Sequence, residues 1–171
     1  MKRWFYSAAL AATAMLILSC GKGDVYKSEV SFDNYRWERL TDKKTISFDN
    51  IHLTDTDAVY DVYVDIRHTP YINEKQVKFL MKIISPDGVT RESSHTIKLT
   101  DRYGEKWAGD AAGDLIDIQT KCKSFVSFPK QGDYTITLTN LGMYASMTGI
   151  ISIGVKVEKA DLKAYKSREK Q

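Results

Sequence analysis

The sequence predicts an all-β chain folded as an antiparallel sandwich of about eight strands. Three observations carry that expectation. Apolar and polar residues alternate strictly in several stretches, turn-forming clusters separate them, and no window before the lysine-rich tail sustains a helical period. The 171 residues suit one domain with a terminal appendage and are ample for a buried core. With 27% charged and 43% apolar residues, the composition is that of a globular protein rather than a disordered or collagen-like one.

The first twenty residues stand apart from that domain. Lys2 and Arg3 precede a run from Trp4 to Leu18 that is apolar except for Ser7 and Thr13. Such a run is short for a permanent transmembrane helix and has the form of an export signal. It closes on Ile17-Leu18-Ser19-Cys20, which resembles the lipobox of bacterial lipoproteins: branched apolar, apolar, small, then Cys. The resemblance implies a signal peptide over 1–19, a diacylglyceryl group on the Cys20 thiol and a lipidated tether over 20–27. Hydrocarbon burial contributes about 0.8 kcal/mol per methylene, so several acyl chains on Cys20 would anchor the chain durably in a bilayer.

The strands are expected within 28–160. Weaker candidates lie at 30–37 and 45–53. Tyr60, Val62, Val64 and Ile66 then share one face, with Asp61, Tyr63, Asp65 and Arg67 on the other. Val77, Phe79, Met81 and Ile83 repeat the pattern, with Lys78 and Lys82 outward. Ser85-Pro86-Asp87-Gly88 is a turn that sends the chain back through a more polar strand at 89–99. A further candidate at 121–128 makes Cys122 a small buried apolar residue. In Gly132-Asp133-Tyr134-Thr135-Ile136, a turn glycine precedes Tyr134 by two residues, the spacing of the tyrosine corner; this makes the expected sandwich immunoglobulin-like. Ile151, Ile153, Val155 and Val157 form the last strand, and 161–171 is a charged tail.

Little in the chain points to catalysis. The charge of +3 falls to +1 without Lys2 and Arg3, and mixed acids and bases give no nucleic-acid footprint. Two cysteines cannot build a disulfide framework or an all-thiolate zinc site. His52, His68 and His95 have no ligand spacing, and neither a GxSxG elbow, a P-loop nor GxGxxG occurs. Asp55, Asp57 and Asp61, and Asp110, Asp114 and Asp117, do not match an EF-hand; their ordinary reading is as turn formers, with calcium the sharper alternative. No catalytic residue, metal or cofactor is therefore expected. The longest irregular stretch, 100–113, holds Tyr103 and Trp107, which with Trp37 and Tyr71 are the aromatics available for contact. Glycines on both sides of Trp107 leave room for a partner to approach.

The order of features resembles the GldH family, gliding-motility lipoproteins of the Bacteroidetes. After the lipobox Cys20 come Trp37, Tyr63-Val64-Asp65-Ile66-Arg67-His68, Tyr71, Ser85-Pro86-Asp87-Gly88 and the loop with Gly104, Lys106-Trp107 and Gly109. Phe128-Pro129 before Gly132-Asp133-Tyr134, and a closing Gly149-Ile150 with Gly154-Val155-Lys156-Val157-Glu158-Lys159, complete the series. The resemblance implies a non-enzymatic envelope lipoprotein that binds proteins of a motility or type IX secretion apparatus. It makes Arg67, His68 and Trp107 candidates for a structural or contact role, with Tyr103 beside them. Gly21 rather than Asp follows Cys20, which fits the outer membrane. The alternative reading is a surface lipoprotein presenting aromatics to a glycan.

Overall fold

Each alternating stretch is a strand with its apolar side turned inward. The computed structural model describes residues 24–161, so the export signal, Cys20 and nearly all of the charged tail lie outside the described residues. The strands are β1 (Asp24–Ser31), β2 (Arg36–Glu38), β3 (Thr45–Leu53), β4 (Val59–His68), β5 (Gln76–Ile84), β6 (Thr90–Lys98), β7 (Asp110–Ala112), β8 (Leu115–Ser127), β9 (Gly132–Asn140), β10 (Ser146–Thr148) and β11 (Ile150–Lys159). One sheet has the order β1-β11-β4-β8-β7, the other β3-β9-β5-β6, and β10 with β2 forms a small ribbon. Every pairing is antiparallel.

Val62, Val64 and Ile66 of β4 and Ile153, Val155 and Val157 of β11 supply one inner face; Val77, Phe79 and Met81 of β5 and Ile136 and Leu138 of β9 supply the other. The tyrosine corner is present. Tyr134 Oη donates to the Lys130 carbonyl at 2.9 Å and accepts from the Lys130 amide at 3.1 Å. Its ring meets Phe128 edge-on at 4.9 Å, and Phe128 meets Tyr60 at 5.4 Å, so the corner ties both sheets to one aromatic cluster.

The structure departs from the sequence expectation at several places, three of them in the strands that frame the core. β1 begins at Asp24, so the last four residues of the expected tether are strand, paired along β11. Asp61, expected to face solvent, is buried. The register of β4 against β8 shifts on either side of Val62, and Phe125 takes a positive φ of 54°. Asp61 thereby accepts from the Phe125 amide at 3.0 Å and pairs with Lys121. Trp37, grouped with the loop aromatics, lies fully buried in β2.

The strands give the molecule two unlike poles. β1 starts and β11 ends at the same pole, with Asp24 opposite Glu158, and the turns at 54–58, 85–89 and 128–131 lie there too. The other pole carries the connections at 32–44, 69–75, 99–114 and 141–149. We call them the terminal pole and the loop pole.

Candidate functional site

At the loop pole, most of the stretch expected to be irregular is a tight hairpin. The Asp101 amide donates to the Lys106 carbonyl at 2.8 Å, Thr100 bridges Trp107, and the Ala108 amide reaches the Leu99 carbonyl at 2.9 Å. Asp101 Oδ1 accepts from the amides of Tyr103 and Glu105, the side-chain-to-backbone bonding that makes Asp a turn former. Tyr103 therefore stands at the tip, 68% exposed, with the Arg102 guanidinium 4.6 Å over its ring.

Trp107 sits at the base of this hairpin, half-buried. His68, at the end of β4, meets it edge-on with ring centroids 5.0 Å apart, and Lys75 Nζ lies 4.2 Å from the indole centroid on a face. His68 itself is fully buried. Its Nδ1 is 2.8 Å from the Thr69 carbonyl, which can only accept, so Nδ1 carries the proton and neutral Nε2 is a bare acceptor. Nε2 has no partner among the described residues. His68 thus supports Trp107 from beneath and offers nothing to solvent.

Burial pushes the His68 imidazole below its ordinary value of 6.5, and burial, then Lys123, does the same to His95. A base whose folded pKa is lowered costs no stability above its unfolded pKa. As pH falls below that value, the unfolded chain binds protons that the native state refuses. Stability is therefore expected to begin falling below about pH 6.5, ahead of the separate loss at lower pH from carboxylates such as Asp117, whose pKa Arg67 lowers. His68→Asn, which keeps a donor for Thr69, should make the first part of the fall shallower in denaturant titrations at successive pH values. An unchanged slope would refute the assignment.

Arg67 lies elsewhere. Consecutive residues of a strand point to opposite faces, so Arg67 is on the outer side of the larger sheet while His68 enters the core. Its guanidinium grips Asp117 with Nε–Oδ1 at 2.7 Å and Nη2–Oδ2 at 3.0 Å, beside a hollow of about 250 Å³ that Gly154 also lines. The structure thus brings His68 and Trp107 together, sets Tyr103 on the same hairpin and leaves Arg67 outside the group.

The second wall of the site was not singled out in the sequence. Asn140 Oδ1 accepts from the Gly142 amide at 2.7 Å while its Nδ2 donates to the Trp37 carbonyl at 3.0 Å. Buried Glu74 accepts from the Met143 and Tyr144 amides at 3.2 and 3.5 Å, and Arg39 Nε donates to the Tyr144 carbonyl at 2.8 Å. These bonds hold the 141–145 loop opposite the hairpin. Between them lies a groove of about 690 Å³ lined by Lys75, Lys78, Lys98, Arg102, Tyr103, Leu141, Met143 and Tyr144, among others. One sequence signal existed: Leu141-Gly142-Met143-Tyr144 is apolar where a polar connection is the rule.

Among the described residues, seven of the ten exposed large apolar ones, namely Tyr35, Leu40, Tyr71, Tyr103, Leu141, Met143 and Tyr144, belong to the loop pole. Among the described residues no three His, Cys, Asp or Glu side chains are placed to hold a metal ion. The acids weighed for calcium are in part engaged otherwise: Asp55 caps the 57–58 amides and pairs with Lys159, Asp61 with Lys121, and Asp117 with Arg67. Cys122 is half-buried against the core, and burial pushes its thiol up to about 12, which keeps it un-ionised.

Fold and site together define an antiparallel β-sandwich with a loop-built groove at one pole. The chain belongs to the GldH lipoprotein family, whose sequence pattern matches residues 24–157. It is thus a gliding-motility-associated lipoprotein, lipid-anchored in the cell envelope, of a family known for motility rather than for enzymes. None of the curated proteins matches it. Among solved structures, CBM28, a carbohydrate-binding module specific for non-crystalline cellulose, aligns at 10% identity and a TM-score of 0.44 over 79% of this chain and 73% of its own. Pseudomonas aeruginosa AlgX aligns at 12% identity and a TM-score of 0.35 over 83% of this chain and 27% of its own. TmCBM61, solved with β-1,4-galactotriose, aligns at 13% identity and a TM-score of 0.29 over 80% and 88%. Likeness of that degree transfers no ligand to this chain.

Proposed function

We propose that the protein is a non-enzymatic lipoprotein of the outer membrane, held by acylated Cys20, that binds another envelope protein of the motility or secretion apparatus through its loop pole. The observation that carries this reading is the polarity of the surface. Exposed apolar side chains gather at the loop pole, and the chain enters the fold at the other. Asp24 follows Cys20 by four residues, a reach of at most about 14 Å. The anchor therefore keeps the terminal pole near the bilayer and turns the loop pole away from it. Concentrated exposed apolar surface marks a contact site, and confinement to a membrane raises the effective concentration of the partner.

A photo-reactive side chain in place of Met143 should crosslink an envelope protein in intact membranes. The same group in place of Val89, exposed at the terminal pole, should not. Cys20→Ala, expected to leave the membrane fraction, should lose the Met143 crosslink. Absence of any crosslinked envelope protein, together with retention of the chain on a glycan array, would favour the carbohydrate reading instead.

A further inference from the structure

The groove at the loop pole carries four cations, Lys75, Lys78, Lys98 and Arg102. None of them pairs with a carboxylate among the described residues, whereas Lys82, Lys130 and Lys159 each hold one. The two acids that line the groove are already engaged: Glu74 binds the Met143 and Tyr144 amides, and Asp101 binds the Tyr103 and Glu105 amides. Amide hydrogen bonds leave those two carboxylates charged, but four cations against two acids make the groove lining net positive, the arrangement that attracts a negatively charged partner over a Debye length.

The apolar share of the groove narrows the class of partner. Leu141 and Met143 are exposed aliphatic surface, suited to side chains of a peptide. Both aromatic residues of the hairpin that would stack on a sugar ring have a cation laid against them, Arg102 on Tyr103 and Lys75 on Trp107. We propose that the groove binds an extended acidic segment of a partner protein, one in which carboxylates alternate with apolar or aromatic side chains. Carboxylates would meet Lys78 and Lys98 on the outer ends of β5 and β6, and apolar groups would settle against Leu141 and Met143. This deepens the protein-contact reading above and rests on it.

The purified full-length chain, titrated with a random glutamate–tyrosine copolymer, is expected to bind it with an affinity that falls as salt rises. Lysine–tyrosine copolymer and polygalacturonate serve as the parallel probes. The double substitution Lys78→Glu and Lys98→Glu, on strand positions whose side chains face solvent, should weaken copolymer binding by about tenfold while leaving the melting temperature close to that of the parent. Met143→Ser should weaken it without any change of charge. No binding, binding indifferent to the double substitution, or tighter binding of polygalacturonate would each overturn the proposal. The same double variant belongs in the crosslinking experiment. Envelope-protein crosslinks at position 143 that survive it overturn the acidic-segment assignment and leave the contact surface standing. Copolymer binding without any envelope-protein crosslink supports the groove's preference and tells against the contact reading itself.

Discussion

Replacing Gly109 with alanine is expected to destabilise the protein by about 2–4 kcal/mol and to loosen the hairpin that carries Tyr103 and Trp107. Gly109 has a φ of +94°, where a side chain is strained, and a β-carbon there would overlap the Asp117 carbonyl oxygen and come within 2.7 Å of Ile118 Cγ1. Both neighbours belong to β8, a central strand that cannot yield without disturbing its pairing with β4. The hairpin must move instead, taking with it the Ala108–Leu99 hydrogen bond and the start of β7. Melting should fall by roughly 10 °C, and tryptophan emission should shift as Trp107 leaves His68. Gly113→Ala is the control. Its φ of +62° carries the strain, but nothing lies within 4 Å, so it should cost about 1 kcal/mol and leave the emission unchanged. Equal effects from the two substitutions would show that contact with β8 is not what fixes the hairpin.

Trp37→Ala should cost about 3–5 kcal/mol, the range for deleting a large buried aromatic. Trp37 is fully buried, stacks on Phe32 at 5.8 Å and sits in β2 opposite Met147 of β10. Its Nε1 has no hydrogen-bond partner among the described residues, so packing rather than polar contact supplies its contribution. Trp37→Phe should therefore be clearly milder. The change also reaches the groove, because the Trp37 carbonyl accepts from Asn140, whose Oδ1 holds Gly142. Chemical denaturation gives the stability. Protection of the 142–144 amides from hydrogen exchange gives the local effect, and unchanged protection there would break the proposed link between ribbon and loop.

What was legible in the sequence followed from periodicity. Tyr60 to Ile66, Val77 to Ile83 and Ile151 to Val157 each alternate over four apolar positions, and each is a central strand of its sheet. β1 was harder to read because Ser28 occupies an inward position between Tyr26 and Val30, and its outer face mixes Val25 with Lys27 and Glu29. β2, β7 and β10, at three residues each, are too short for any period to register. Asp61 misled because the bulged partner strand β8 folds over it, with the Phe125 amide and Lys121 closing on its carboxylate, and a bulge in one strand leaves no mark in the alternation of its neighbour. At the site, Tyr103 and Trp107 were identifiable because a long connection with flanking glycines advertises itself. Period two already forbids Arg67 and His68 from one shared contact. Glu74 and Asn140 could not be found, since Glu74 holds amides about seventy residues away and Asn140 the Trp37 carbonyl 103 residues away, partners that only folding brings to them.

The position of β1 has a mechanical consequence. It is an edge strand of the larger sheet, joined to β11 from Asp24↔Glu158 to Ser31↔Ser152, and it runs from the terminal pole to the loop pole. In the arrangement proposed above, with the anchor at Cys20 and a partner at the far end, traction between membrane and partner would pass along the axis of this strand. The β1–β11 bonds lie across that axis, so they are loaded in shear and together rather than peeled one at a time. A sandwich entered by its edge strand lengthwise is thus a coupling that resists being drawn out by its own tether.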